Sequence, residues 1–433
     1  MKKVLIITPF FPPINAADMH RVRQSISYYK ENGWDAEVVT VEASYINMIK
    51  DDLLLNTIPT DIKIHKVKAF DEKFTRKFGL GSIAYRSMYY YWKYVNRLLS
   101  NTKYDLIFFS TTAFPITILG RFWKNKFKVP YVIDMQDPWR SDHYLKLPKS
   151  QRPSKFWISY LLDTCLEWYT MKRVDGLISV SESYIEILMN RYENVKNIPT
   201  SVIPFAAYPI DIEVSMENGI ENKFFNTNNH YFNIVYVGRA GHDMAQANTI
   251  FLKAIKAGLN KNSNFERIRI YYVGTSYDQS INAKKTVMPI ADELNLNAYV
   301  VEQTQRIPYF ESLKILSEAS LLFVPGSDNI GYTASKIYSY VWFKKPLLTL
   351  FHSSSSVNNF IENCNAGLAL KFDKDDEQFN INAIITYIEM AFIGHKIPEV
   401  NWDNFKIYTS EFQAKRQIEL FNNVIKNAAT KNN

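Results

Sequence analysis

The sequence predicts an α/β protein of two doubly wound, Rossmann-like domains, and three observations carry this expectation. Its 433 residues exceed what one hydrophobic core normally holds. Short apolar runs alternate with amphipathic helical stretches, the pattern of parallel sheets covered on both faces. The alternation pauses at a polar, Asn-rich stretch over 212–230 and then begins afresh.

In the first half, strands are expected over 4–8, 36–41, 105–109, 131–134, 176–180 and 201–203. The opening run is too short for the core of an export signal and has the length of a buried strand. A helix over 19–31 is expected to stop at Gly33, a good helix terminator, and longer helices cover 83–99 and 155–172. In the second half, strands are expected over 232–237, 268–273, 298–301, 321–324 and 347–350. The intervening helices cover 245–257, 281–294, 309–317 and 335–342. After Trp402, the residues Phe405, Tyr408, Phe412, Ile418 and Phe421 give a final helical run one apolar face. The expected organisation is an N-terminal domain over 1–211, a linker over 212–230 and a second domain over 231–400. A last segment, 401–433, would pack back on the first domain. Ligands of such sheets bind at the carboxyl ends of the strands, so two facing halves would enclose one cleft.

Composition narrows the class. Cys165 and Cys364 form neither a disulfide framework nor a metal motif, which favours a reducing cytoplasm. No stretch approaches the roughly 20 apolar residues that span a bilayer. The net charge is +8, and it is unevenly spread. From Lys63 to Lys128 fourteen Lys and Arg face only Asp71, Glu72 and Asp105. Phe74, Phe78, Tyr89, Tyr90, Tyr91, Trp92, Phe122 and Trp123 lie among them. This stretch is either core with a solvated basic face or a surface for an anionic membrane. A nucleic-acid partner is not expected, because no reading motif accompanies the charge.

Three motifs, in order, resemble the retaining GT-B glycosyltransferases of glycosyltransferase family 4. The first is the opening strand with its Pro-Pro turn, the small residues Ala16 and Ala17, the helix carrying Arg21, and Gly33-Trp34. The second is Asp134-Met135-Gln136-Asp137-Pro138-Trp139-Arg140 at a strand end. The third pairs Gly238-Arg239 with Tyr332-Thr333-Ala334-Ser335-Lys336 and Ser339. The resemblance runs from Val4 to about Leu370 and implies a GT-B fold, two Rossmann-like halves facing across a cleft. It implies donor binding at Ala16, Ala17, Gly238, Arg239, Tyr332, Thr333, Ala334, Ser335, Lys336 and Ser339, where backbone amides and cations meet a diphosphate. Asp137, Asp134 and Gln136 would stand at the reacting centre, where a carboxylate can orient sugar hydroxyls or take the acceptor proton. Asp18, Arg21, Trp139, Arg140 and His143 would face the acceptor.

The sequence departs from the family at several points. Members usually carry two glutamates eight residues apart, and Gly331 and Ser339 occupy those positions. The usual Lys after Arg239 is absent from Ala240-Gly241-His242-Asp243-Met244, and Gln136 replaces a His. The implied activity is transfer of a sugar from a nucleotide-diphosphate sugar to a glycan or lipid-linked acceptor, with retention, in cell-surface polysaccharide synthesis. No cofactor or metal is expected. Two alternatives stay open: a nucleotide-sugar-binding subunit without turnover, and a UDP-sugar epimerase of the same fold. The expected location is the cytoplasm, with peripheral contact at an anionic membrane.

Overall fold

Apolar runs that need both faces covered become the strands of two parallel sheets. The computed structural model describes residues 1–430 except 141, 143, 144, 146, 147, 149–151, 153–155, 218, 228, 229, 279, 281, 330, 331, 333 and 395–398. The first sheet contains β1 (Lys2–Ile7), β2 (Trp34–Val41), β3 (Lys63–Val67), β4 (Leu106–Ser110), β5 (Tyr131–Met135), β6 (Gly176–Ser179) and β7 (Thr200–Val202). Their order is β3-β2-β1-β4-β5-β6-β7. β4 and β5 are buried at every residue, which is why they read as unbroken apolar runs. Edge strand β3 alternates exposed Lys63 and Lys66 with buried His65 and Val67, so hydropathy alone does not mark it.

Its helices are α1 (His20–Ser25), α2 (Glu72–Arg76), α3 (Ile83–Asn101), α4 (Ile118–Phe127), α5 (Phe156–Met171) and α6 (Glu182–Arg191). The helix expected over 19–31 is shorter than its pattern. α1 passes into 3-10 turns that end at Gly33, whose φ of 80° permits the left-handed stop. The basic, aromatic stretch is divided between core and surface. Tyr91 and Trp123 are fully buried, whereas Phe74, Phe78, Tyr89 and Trp92 are exposed.

The second sheet contains β8 (Phe232–Val237), β9 (Ile268–Val273), β10 (Val300–Gln303), β11 (Leu321–Pro325), β12 (Leu347–Phe351) and β13 (Leu368–Lys371), in the order β10-β9-β8-β11-β12-β13. Its helices are α7 (Pro209–Glu217), α8 (Ala245–Leu259), α9 (Met288–Glu293), α10 (Tyr309–Glu318), α11 (Ile337–Trp342), α12 (Ser356–Cys364), α13 (Glu377–Phe392) and α14 (Trp402–Phe405).

Contacts divide the chain into Met1–Phe205 with Ser410–Asn433, and Ala206–Thr409. Two expected boundaries therefore move. The supposed linker begins inside α7, which packs on α10 and is pinned where the Tyr309 hydroxyl donates to Asp211 at 2.7 Å. The chain accordingly enters the second unit after Phe205, not after 211. Residues 401–409 also stay with that unit. Trp402 packs edge-on against Trp342, Phe405 packs at a tilt against Phe360, and Tyr408 stacks on Tyr338 at 4.9 Å. From Ser410 the helix α15 (Ser410–Thr430) belongs to the first unit, where Phe421 sits between Trp34, Phe108 and Tyr29.

A polar cluster also braces the first sheet. Glu37 accepts from Lys3 at 2.7 Å, His65 at 2.7 Å and the Tyr104 hydroxyl at 2.6 Å. Burial opposes its charge, yet these donors outweigh burial and hold the carboxyl down to about 2. A carboxyl depressed in the folded state stabilises above its unfolded value near 4.5 and loses that contribution as pH falls toward 2. Glu37→Gln should cost on the order of 3 kcal/mol at pH 7. Urea unfolding should show the gap between variant and parent closing as pH drops below 4.5.

Candidate functional site

Strand order locates the crevices. It reverses between β1 and β4 in the first unit and between β8 and β11 in the second, where loops leaving the carboxyl ends diverge.

In the first unit several polar groups beside that crevice bond to the protein itself. Asp18, in the turn before α1, is 3% exposed and accepts from the Thr112 backbone at 3.0 Å and from the hydroxyls of Thr111 and Thr112. Burial raises its carboxyl despite those bonds. Arg21 is equally buried. Its Nε donates to Asp134 at 3.1 Å, and its other nitrogens reach the carbonyls of Ile203 and Pro204 and the Gln413 side chain. Asp134, fully buried on β5, also accepts from Ser110 at 3.0 Å and from Gln136 at 2.8 Å. Three residues expected at the substrate are thereby tied to the protein's own interior. Arg21, Asp134 and Gln136 form an interior network, because a buried arginine and carboxylate must satisfy each other. Asp18 likewise binds the loop after β4.

The next residues fare similarly, with one exception. Trp139 is buried, stacks on Phe114 at 5.6 Å and donates to Asp163 at 3.2 Å. Arg140 lies over the Tyr160 ring and beside Asp142 at 3.6 Å, so both residues pack against α5. His143 lies outside the described residues. Ala16 is buried and Ala17 exposed, keeping the loop before α1 small. Asp137 is the exception. It is exposed just past the end of β5, and no hydrogen bond reaches its carboxylate among the described residues. Crowding by the surrounding protein raises its carboxyl above the usual range, which makes it a better proton acceptor.

The second unit's crevice is built differently. β8 ends in Gly238, whose φ of 141° no residue with a side chain adopts comfortably, and a Cβ there would overlap Lys336 Nζ. Lys336 is partly exposed, but its amine end is enclosed. It lies over the Tyr236 ring at 4.5 Å, donates to the Tyr236 hydroxyl at 2.9 Å and reaches the Val237 carbonyl at 3.3 Å. Burial, reinforced by the charges of Arg239 and Arg306, pushes this amine down to about 7. The Tyr340 hydroxyl bonds both the N–H and the carbonyl of Val237. Lys336 and Tyr340 are four residues apart, so one helix face delivers both to the end of β8.

Arg239 differs from the expectation of a free phosphate ligand. It forms a two-pronged pair with Asp243 at 2.6 and 2.7 Å, and Ser327 donates to the same carboxylate at 2.6 Å. Arg239 foremost holds Asp243 down to about 2, and the guanidinium is raised in return. The aromatic ring of Tyr332 lies 6.0 Å from the Arg239 guanidinium and stacks on Phe351. Ala334 is buried, Ser335 exposed and Ser339 partly exposed, while Gly331 and Thr333 lie outside the described residues. The expected helix start at Ser335 falls two residues later, at Ile337.

Sequence reasoning missed Tyr236, Asp243, Arg306 and Tyr340. Arg306, exposed just beyond β10, carried one usable signal, a cation shortly after a strand end. Glu302 was missed too. It is buried and accepts from the backbone of Thr286, Val287 and Met288, which caps α9 beside this loop.

No family model and no curated protein matches the chain. Solved structures do. Sucrose-phosphate synthase from Thermosynechococcus elongatus aligns over 98% of both chains at 13% identity with a TM-score of 0.55. A UDP-forming trehalose-phosphate synthase from Burkholderia xenovorans aligns over 98% of this chain and 99% of its own, at 10% identity and TM-score 0.57. Anabaena HepE in complex with UDP aligns over 97% and 99%, at 13% and 0.52. At such identities the likeness is one of fold, and the fold is GT-B.

Two mutational outcomes follow. Arg21→Ala should destabilise the first unit by about 3–5 kcal/mol, because it strands a buried carboxylate. Asp137→Asn should shift stability by no more than about 0.5 kcal/mol, and urea denaturation of both variants separates the roles. Lys336 runs the opposite way. An amine lowered to about 7 from 10.5 weakens the fold fully below pH 7, and that cost fades as pH rises to 10.5. Its removal orphans no acceptor, since Tyr340 still donates to Val237 and Tyr236 still donates to the Arg239 carbonyl. Lys336→Met should therefore melt higher than the parent at pH 6 in phosphate-free buffer, by on the order of a few degrees, with the difference shrinking by about pH 9.

Proposed function

We propose that the protein is a glycosyltransferase that takes its sugar from a nucleotide-diphosphate donor held by the second unit. The observation that carries this is the convergence of Lys336, Arg239 and Arg306 around the Gly238 turn, where Asp243 pairs with Arg239. Three cations at the carboxyl end of a strand, where the order reverses, suit a diphosphate. A bound diphosphate would favour the ammonium form of Lys336, so donor binding takes up a proton near neutral pH. The same charges stabilise the diphosphate as it leaves and the sugar ring becomes cationic.

The first unit supplies Asp137 as the carboxylate that orients the acceptor or accepts its hydroxyl proton. The acceptor in this reading is a glycan or a lipid-linked glycan of a cell-surface polysaccharide, and transfer proceeds with retention. The leaving diphosphate oxygen can itself take the acceptor proton, so the reading does not need carboxylates at 331 and 339.

Thermal melting against UDP, GDP, TDP and CMP tests the donor site, since a ligand of the native state raises the midpoint. One diphosphate should raise it by several degrees, and Lys336→Ala or Arg306→Ala should abolish the shift. Asp137→Asn should keep the shift while turnover falls by about a hundredfold or more. Nucleotide binding without sugar transfer to any acceptor would refute the transferase reading, and so would donor conversion without an acceptor.

A further inference from the structure

Helix α5 is built inside out. Its polar groups turn toward the protein: Glu167 is buried and accepts from Arg191 at 3.1 Å and the Tyr192 hydroxyl at 2.8 Å. Asp163 accepts from Trp139 at 3.2 Å, and the Tyr160 hydroxyl donates to Asp142 at 2.8 Å. Trp157, Ile158, Leu161, Leu162, Trp168 and Tyr169 are exposed, Ile158 at 70% and Leu161 at 65%. They recur at three- and four-residue steps, so they form one outward stripe. A stripe this apolar on a surface marks a contact.

Its surroundings indicate what makes the contact. No carboxylate among the described residues of α5 lies exposed on this stripe. Cations frame it instead. Arg121 lies 4.2 Å from the Tyr169 ring, Lys172 lies 4.9 Å from Trp168, and Arg152 lies beside Trp157. Past the helix end, a pocket of about 390 Å³ gathers Lys124, Lys128, Lys172 and Arg173 against Asp175. Helix α4 packs on α5 and on α3, and Phe122 of α4 meets the exposed Trp92 of α3. The exposed aromatic surface therefore continues toward Tyr89 and Phe70.

We infer that α5 lies in the interface of an anionic lipid bilayer, with its leucine and isoleucine side chains among the acyl chains. Trp157 and Trp168 then occupy headgroup depth at its two ends, and the flanking cations meet lipid phosphates. With 16 residues the helix is about 24 Å long and lies in the surface rather than crossing it. Among the described residues no helix is long and apolar enough to cross a membrane. A symmetric second copy is the less suitable occupant, because it would bring the Lys and Arg of one rim against those of the other. The inference deepens the lipid-linked reading of the acceptor and rests on it only for its setting. Its test uses no nucleotide, so either can fail alone.

The full chain is floated with phosphatidylcholine vesicles and with vesicles containing about one third phosphatidylglycerol, at low and at physiological salt. The protein should float with the anionic vesicles, more strongly at low salt, and its tryptophan emission should shift to the blue. Leu161→Glu should weaken flotation on the order of tenfold or more. The paired change Lys172→Glu with Arg173→Glu should weaken it on anionic vesicles alone. Both variants alter exposed positions, so an unchanged melting curve serves as the folding control. Three results would overturn the inference: no flotation at low salt, flotation that Leu161→Glu leaves intact, or a dimer in sedimentation velocity that Leu161→Glu dissociates.

Discussion

The first unit is organised around one buried ion pair. Arg21 and Asp134 stand 113 residues apart and are both removed from water, so each serves as the other's buried partner. Because the guanidinium has further donors, the pair recruits the chain after β7 through Ile203 and Pro204, and α15 through Gln413. α1, β5, the end of the sheet and the returning helix thus share a single electrostatic joint. The Phe205 ring, 5.0 Å from the same guanidinium, sits where the chain leaves the unit.

The two sheets share one strand order over six strands, the first adding β7, and put the same place to different use. At the reversal in the first sheet, acidic and hydroxyl groups bond largely to one another, and Asp137 stands exposed beyond it. At the reversal in the second, positive groups gather and are only partly neutralised by Asp243. The amine of Lys336 is lowered first by its burial, and the neighbouring charges of Arg239 and Arg306 add to that. Such a site is costly in the ligand-free protein and reasonable in one that spends its working cycle beside an anion.

Much of this was legible in the sequence, for identifiable reasons. Strands buried on both faces, such as 131–135 and 321–325, announce themselves as apolar runs, and so the fold class was readable. β3 and β13 were not, since an edge strand of four or five residues with lysines on it resembles a loop. Motif positions were readable too, but their roles were not. Nothing local distinguishes Asp134 from Asp137, and the difference between them is Arg21, which only the tertiary fold brings to β5. Helix α5 shows the same limit. Its extent was readable, but nothing in the sequence says which face is inward, and here the polar face is inward.

The route of the backbone carries a consequence for biosynthesis. The second unit is one uninterrupted stretch, Ala206–Thr409, whereas the first lacks part of its core until Ala414, Ile418, Phe421 and Val424 have been made. The earlier-encoded unit must wait, with Trp34 and Phe108 short of their Phe421 partner. Arg21 waits as well, without Gln413, so nascent chains pass through a stage that exposes an unfinished core and an unfinished charge network. That interval is when chaperones have most to protect.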